Sequence, residues 1–148
     1  YIADKTRKPA AYNDPLGNYS ATALSSITIA WEDDSAEGAD KAAIKERNLE
    51  RIITQKWIAI FPLGVEAWSE HRRTGYPKLL PVPTDKSGGS VNVEQGARRL
   101  PYPVEEYQQN NANLQAAIQT LGAEQQNGDR SGDVMGTRVW WDCKPYNK

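Results

Sequence analysis

The amino-acid sequence predicts a mainly α-helical protein with extensive irregular loops. Apolar residues recur at helical spacing in two segments, residues 40–61 and residues 111–122, and we expect a helix in each. The 9 prolines and 11 glycines favour turns and extended backbone over much of the remaining sequence. With 148 residues, the chain is long enough for a domain with its own core, so we expect one domain over residues 1–148.

The first predicted helix runs from Asp40 to Phe61. Its apolar residues lie at steps of three and four, which places them on one face. Near the end of the helix, Ile58 and Ala59 add apolar residues to the other side, so we expect the last turns to be enclosed. The predicted apolar face consists of Leu49, Ile52, Ile53, Trp57, Ile60 and Phe61, opposite Arg47, Glu50, Arg51, Thr54 and Gln55.

A second helix is predicted from Leu63 to Thr74, after Pro62 interrupts the first. Arg72 and Arg73 suit the negative end of a helix dipole, and glycine is the usual residue just beyond a helix end, where Gly75 stands. The two helices should form a bent pair. Two further helical segments are predicted, a turn at residues 105–109 and a helix at residues 111–122.

Two other segments have a pattern of extended backbone. Ser26–Trp31 alternates and is β-branched, which predicts a short strand or an extended arm. Val139–Asp142 is predicted to be extended, so that Trp140 and Trp141 would face opposite ways. Loops are predicted at residues 84–97 and 125–136.

The composition argues against several functional classes. The 18 basic and 19 acidic residues give a net charge of −1, which does not favour binding to nucleic acid. Cys143 is the only cysteine and His71 the only histidine, so neither a disulfide nor a Cys- or His-based metal site is predicted. The sequence contains no glycine-rich phosphate loop, and we predict no cofactor. It also contains no apolar run long enough to span a membrane.

Residues that would carry catalysis have simpler structural interpretations. His71 follows Trp68 by one turn on the same face, so a packed histidine is favoured over a catalytic one. Glu66 and Glu70 share a helix face near Arg73, which favours a surface ion pair over the two separated carboxyls of a glycoside hydrolase. We therefore predict that the protein is not an enzyme, with a glycosidase as the least favoured alternative.

The aromatic residues are the best candidates for ligand binding. The chain has 5 Trp and 7 Tyr but only 1 Phe, and Trp and Tyr suit half-exposed surfaces that bind sugars. The candidate binding residues lie in irregular segments, whereas Trp57 and Trp68 are predicted to be core. At least one arginine of each pair, at 72–73 and at 98–99, is predicted to fasten irregular backbone by donating to carbonyls and carboxylates. The predicted binding residues are Tyr12, Tyr19, Trp31 and Trp141.

Three motifs resemble a known family. They are QKWIAIFPLGVEAWSEHRRTGYPKL, then RRLPYPVEEYQQN, then TRVWWD, and together they resemble the C-terminal part of the SusD/RagB outer-membrane lipoproteins, from Ser26 to Asp142. The nearest branch is the starch-binding SusD-like group. The resemblance implies an α fold that contains tetratricopeptide helices. It also implies a Bacteroidetes surface protein, anchored in the outer membrane through an N-terminal lipidated cysteine.

The same resemblance implies a function without catalysis. Members capture an oligosaccharide or another nutrient and deliver it to a SusC-like TonB-dependent transporter. Full-length members are several times longer, so we expect the chain to be the C-terminal region of such a domain, with Cys143 at the wrong end to be the lipid anchor. An alternative remains open: a scaffold that docks to the transporter, or to its own N-terminal half, without touching the ligand.

Overall fold

The computed structural model describes residues 2–122 and 132–142. Helices make up most of the regular structure in these residues, so the predicted mainly helical class is confirmed, and a two-stranded antiparallel hairpin is added to it. The tetratricopeptide helices stay a prediction. The elements are β1 (Tyr12–Asn13), β2 (Ser20–Ala21), α1 (Lys41–Ala59), α2 (Gly64–Thr74), α3 (Val104–Gln109) and α4 (Asn111–Gly122).

The chain divides into two compact units, Tyr1–Leu80 and Pro81–Lys148. The first unit contains the hairpin, α1 and α2, and the second contains α3 and α4. The expectation of one domain over residues 1–148 stays a prediction.

Helix α1 begins as predicted and ends slightly earlier. The carboxylate of Asp40 caps it by accepting a hydrogen bond from the Ala43 N–H at 3.0 Å. Past Ala59 the backbone tightens, because the Phe61 N–H donates to the Ile58 carbonyl at 3.4 Å instead of continuing the α-helical pattern. The predicted end at Phe61 is therefore two residues too late.

The predicted buried face of α1 is wrong in large part. Ile53 is buried, but Ile52 is exposed, and the predicted polar residues Glu50 and Arg51 are buried instead. The cause is the loop before the helix: Arg51 donates to the Thr28 carbonyl at 2.8 Å, which brings irregular backbone onto the polar side.

The end of α1 is not enclosed by the described residues, so the expectation that its last turns are enclosed is wrong. Helix α2 contacts Lys56 and Trp57 but leaves Ile58 and Phe61 uncovered. Phe61 remains 86% exposed, and it lies among other exposed apolar residues. We call this surface the elbow patch, which consists of Ile58, Phe61, Leu63 and Val65.

Helix α2 confirms the predicted bent pair. Gly75 adopts the left-handed conformation at φ 75° and donates its N–H to the His71 carbonyl at 2.7 Å, which ends the helix. His71 packs edge-on against Trp57, with ring centroids 6.3 Å apart, and the Arg72 guanidinium lies 3.5 Å from the ring centre of Trp68. Both tryptophans are half-buried rather than enclosed, so the predicted core role holds only in part.

Buried ion pairs organise the second unit. Arg98 donates from Nε to Asp142 at 2.7 Å, and Arg138 donates to the same carboxylate at 3.1 Å. Arg99 pairs with Asp133, which also accepts from the Tyr102 N–H at 3.0 Å. The predicted fastening role of the arginine pair at 98–99 is confirmed.

One predicted extended segment differs from the structure. Val139–Asp142 forms a turn, because the Asp142 N–H donates to the Val139 carbonyl at 2.9 Å while its carboxylate reaches the buried arginines. Of the two forms predicted for Ser26–Trp31, a short strand or an arm, the structure has the arm. Most of the predicted loop at residues 125–136 lies outside the described residues, as does Cys143.

Candidate functional site

Trp31 is an exposed indole on a firmly held loop. Its side chain is 62% exposed, although Ala30 before it is buried. The Ala30 N–H donates to the Asp4 carbonyl at 2.9 Å. On the other side, the Glu32 N–H donates to Asn48 Oδ1 at 3.2 Å, and Asn48 Nδ2 donates back to the Glu32 carbonyl at 2.8 Å. The backbone on both sides of the indole is therefore fastened.

The carboxylate of Glu32 adds a second fastening beside Trp31. Arg47 Nε donates to it at 2.8 Å, and Arg51 Nη2 at 2.6 Å. The hydrogen bond from Arg47 is the largest cause that lowers the pKa of Glu32 to about 2, with Arg51 acting in the same direction against the effect of burial. The carboxylate is thus charged over the whole physiological range and holds the loop onto α1.

Tyr12 and Tyr19 meet across the hairpin. Their ring centroids are 6.2 Å apart at a tilt of 41°. The turn that brings them together depends on Asp14, whose carboxylate accepts the N–H groups of Leu16 and Asn18, both at 3.1 Å. Tyr12 is exposed and Tyr19 is half-buried, so the pair presents one open aromatic edge.

Trp141 lies in the second unit and is half-buried. Its neighbour Trp140 is 77% exposed. In the turn at Val139–Asp142, the more exposed tryptophan is therefore Trp140, which was not among the predicted binding residues. The sequence offered no means of choosing between two adjacent tryptophans, because the alternation rule used for them does not apply to a turn.

The two glutamates of α2 have the predicted structural role. Lys56 Nζ donates to Glu66 at 2.9 Å and to Glu70 at 2.8 Å, and Arg73 also pairs with Glu70. Burial opposes the charged form of Glu70, but the hydrogen bonds from Lys56 and Arg73 outweigh it and lower its pKa. A general acid for glycoside hydrolysis needs a raised pKa, so the pair does not fit that chemistry.

Within residues 2–122 and 132–142, no group of three or more His, Cys, Asp or Glu side chains is arranged to hold a metal ion. Among the same residues, no helix combines the length and the apolar character needed to cross a bilayer.

The predicted site residues are partly brought together. Tyr12 and Tyr19 form one aromatic pair, and Trp31 stands on a separate loop of the same unit. Sequence periodicity placed Glu50 on the solvated side of α1, so it did not indicate that Glu50 is buried beside a cavity.

Comparison with known proteins finds similar solved structures. The chain is 51% identical to a SusD homologue from Bacteroides thetaiotaomicron, with a TM-score of 0.78 over 97% of this chain and 28% of that one. It is 42% identical to a chitin-binding SusD homologue from Flavobacterium johnsoniae, with a TM-score of 0.73 over 95% of this chain and 26% of that one. A SusD homologue from Bacteroides uniformis is 48% identical, with a TM-score of 0.77 over 97% of this chain and 27% of that one.

The chain therefore spans only about a quarter of the length of these relatives. A search of the curated proteins finds no match. Residues 1–142 match the family model described as SusD and RagB outer membrane lipoprotein. The chain belongs to this SusD-like family, and the family places the protein at the outer membrane.

Proposed function

We propose that the full-length protein binds a glycan at the cell surface and delivers it to a SusC-like TonB-dependent transporter without chemical turnover. The observation that carries this proposal is the 42% identity to a chitin-binding SusD homologue over 95% of the chain. Membership of the same family supports it. The lowered pKa of Glu70 also supports the absence of turnover, because a general acid needs a raised pKa and Glu70 does not suit that role.

The chain's own contribution consists of exposed and half-buried aromatic rings. Sugar rings have apolar C–H faces that pack on exposed aromatic rings, and a few polar groups then set the orientation. Trp31 suits this role best, because its indole is exposed while the backbone at Ala30 and Glu32 is held. Tyr12 with Tyr19, and Trp141 in the second unit, are the further stacking residues in the proposal.

Replacing Trp31 with alanine is expected to raise the dissociation constant for a verified glycan about tenfold, since loss of one stacking ring costs about 1–2 kcal/mol. Isothermal titration on the full-length protein is the measurement. Trp141→Ala is expected to weaken binding less, because that indole is half-buried. Trp140→Ala, which removes a similarly exposed indole outside the proposed set, is the control. Unchanged affinity in both test variants would remove both residues from the site.

The scaffold function has one observation in its favour, the elbow patch. Exposed apolar side chains in a cluster mark surfaces that bind other protein. If the transporter covers this patch, Phe61→Ser should weaken transporter binding about fivefold and leave glycan affinity unchanged. Leu100→Ser, at another exposed apolar residue, is the matched control. Equal transporter affinity of both variants and the wild type, measured by surface plasmon resonance, would count against this alternative.

A further inference from the structure

A cavity of about 620 Å³ lies beside α1 in the first unit. Ligand sites in proteins commonly have volumes of about 300–1,000 Å³, so a sugar residue or two can enter a space of this size. The residues just before the loop of Trp31, including Ser26 and Ile27, form part of its wall, and its lining is mixed polar and apolar. Its main polar lining residues are Lys8, Ser25, Ser26, Glu50, Tyr76 and Lys78.

Glu50 is the unusual member of this lining. Its side chain is 6% exposed, yet it forms no hydrogen bond or ion pair with any residue that the structure describes. The other buried carboxylates are satisfied: Asp142 accepts from two arginines, and Asp133 pairs with Arg99. The carboxylate oxygens of Glu50 are not among the buried polar atoms that lack a partner, so they face the cavity, where water or the hydroxyls of a ligand can donate to them.

Other residues of the cavity wall carry positive charge, opposite to that of Glu50. Lys8 and Lys78 line the same cavity and form no ion pair with the described residues. The Tyr76 hydroxyl donates to Glu46 at 2.8 Å, and burial, together with Glu46, raises the pKa of Tyr76. That hydroxyl therefore stays protonated and its ring forms an uncharged part of the wall. Arg47 also lines the cavity, but its guanidinium is engaged by Glu32.

We propose that this cavity is a glycan subsite for a neutral sugar, whose hydroxyls donate to Glu50 and accept from Lys8 and Lys78. The mixture of charges selects the ligand. An acidic sugar would suit the lysines but be repelled by Glu50, and an amino sugar would suit Glu50 but be repelled by the lysines. A hydroxyl both donates and accepts, so neighbouring hydroxyls on one ring satisfy both kinds of group. The inference rests on the proposed glycan-binding function and adds a location and a ligand class to it.

The test compares three probes on the full-length protein by isothermal titration. They are the hexamers of N-acetylglucosamine, glucosamine and galacturonate, which are neutral, cationic and anionic. Tighter binding of the neutral hexamer is expected. Glu50→Gln should then weaken that binding about fivefold, because a charged acceptor is lost, and Lys78→Ala about threefold. Lys5→Ala, an exposed lysine that does not line the cavity, should have no effect.

The outcomes separate this inference from the proposed function. If Trp31→Ala weakens binding of the neutral hexamer while Glu50→Gln and Lys78→Ala leave it unchanged, the subsite is wrong and glycan binding stands. Preference for a charged hexamer overturns the neutral ligand class. If none of the three hexamers binds, the subsite for these sugars is overturned, and the proposed glycan-binding function loses its support as well.

The melting temperature tests whether Glu50 instead pairs with a cation from another part of the full-length protein. If a cation from elsewhere in the full-length protein pairs with Glu50, then Glu50→Gln would lower the melting temperature and leave glycan affinity unchanged, which overturns the subsite. If instead the Glu50 carboxylate faces a water-filled cavity, Glu50→Gln removes no protein contact, so the melting temperature without glycan should stay level. The same variant should also show a smaller rise in melting temperature on addition of the neutral hexamer.

Discussion

Replacing Asp142 with asparagine is expected to destabilise the unit Pro81–Lys148 by about 3–5 kcal/mol. The Asp142 side chain is fully buried and lies between the guanidinium groups of Arg98 and Arg138, which are also buried. Asparagine keeps the shape but removes the negative charge and turns one acceptor into a donor that faces other donors. Two buried positive charges would then lack the carboxylate that neutralises them, and that loss determines the size of the effect.

Hydrogen exchange on the full-length protein is the suitable measurement, because it reports this unit without requiring the whole protein to unfold in one step. Arg73→Ala is the control, since it also removes one partner of an ion pair, the exposed pair with Glu70. Exposed pairs are worth about 0–1 kcal/mol, so this variant should change protection little. Equal effects of the two substitutions would show that burial of the Asp142 cluster does not govern its strength.

The second large effect is expected at Glu32, where Glu32→Gln should cost about 2 kcal/mol at neutral pH. The substitution removes the charged acceptor of Arg47 and Arg51, and Arg51 is buried where α1 contacts the arm at Thr28. The Glu32 side chain is 31% exposed, so solvent screening keeps the loss below that of a fully buried pair. Arg7→Ala removes the exposed Asp4 pair in the same unit and serves as the control.

The dependence of this effect on pH follows from the pKa of Glu32. Hydrogen bonds from Arg47, then Arg51, lower that pKa from 4.5 to about 2. A carboxylate with a lowered pKa stabilises the fold fully above its unfolded value and loses that contribution as the pH falls toward its folded value. The stability difference between the wild type and Glu32→Gln should therefore be constant above pH 5 and shrink between about pH 4.5 and pH 2. A difference that stays constant down to pH 2 would contradict the ion pair.

The elements that depend on local signals were predictable from the sequence. Asp40 before α1 and Gly75 after α2 mark helix ends through groups that act within one turn of the backbone. The interpretation of Glu66 and Glu70 as an ion-paired surface needed only Arg73 on the same helix. The structure adds Lys56 of α1 as a second partner. The family resemblance was likewise carried by contiguous motifs and is confirmed over residues 1–142.

The errors arose where distant residues decide the outcome. Periodicity assigned Ile52 and Phe61 to the core of α1, but Thr28 and Glu32 pack on the opposite side through Arg51. Hydrophobic periodicity shows which face is apolar, not which face a long arm covers, and arginines make such arms attach to polar faces. The turn at residues 139–142 has the same origin, because Asp142 is drawn to Arg98 across 44 positions of sequence.

The candidate site was predictable only as a set of residue types. Trp31 and the two tyrosines were identified because they lie in irregular segments, and the structure adds that Asn48 and Asp4 hold the loop of Trp31. Glu50 was missed, because a helical position gives no sign that an arm and Tyr76 will enclose it.

The hydrogen bonds beside Trp31 have a thermodynamic consequence for ligand capture. When a loop becomes ordered only on binding its ligand, the lost backbone entropy, about 1–2 kcal/mol per residue, weakens the affinity. Here the peptide groups of Ala30 and Glu32 are already engaged by Asp4 and Asn48 in the absence of ligand. If Trp31 stacks on a sugar ring as proposed, the protein's loss of conformational entropy on binding is confined largely to the torsions of one indole, so a small contact area would be enough to retain the ring.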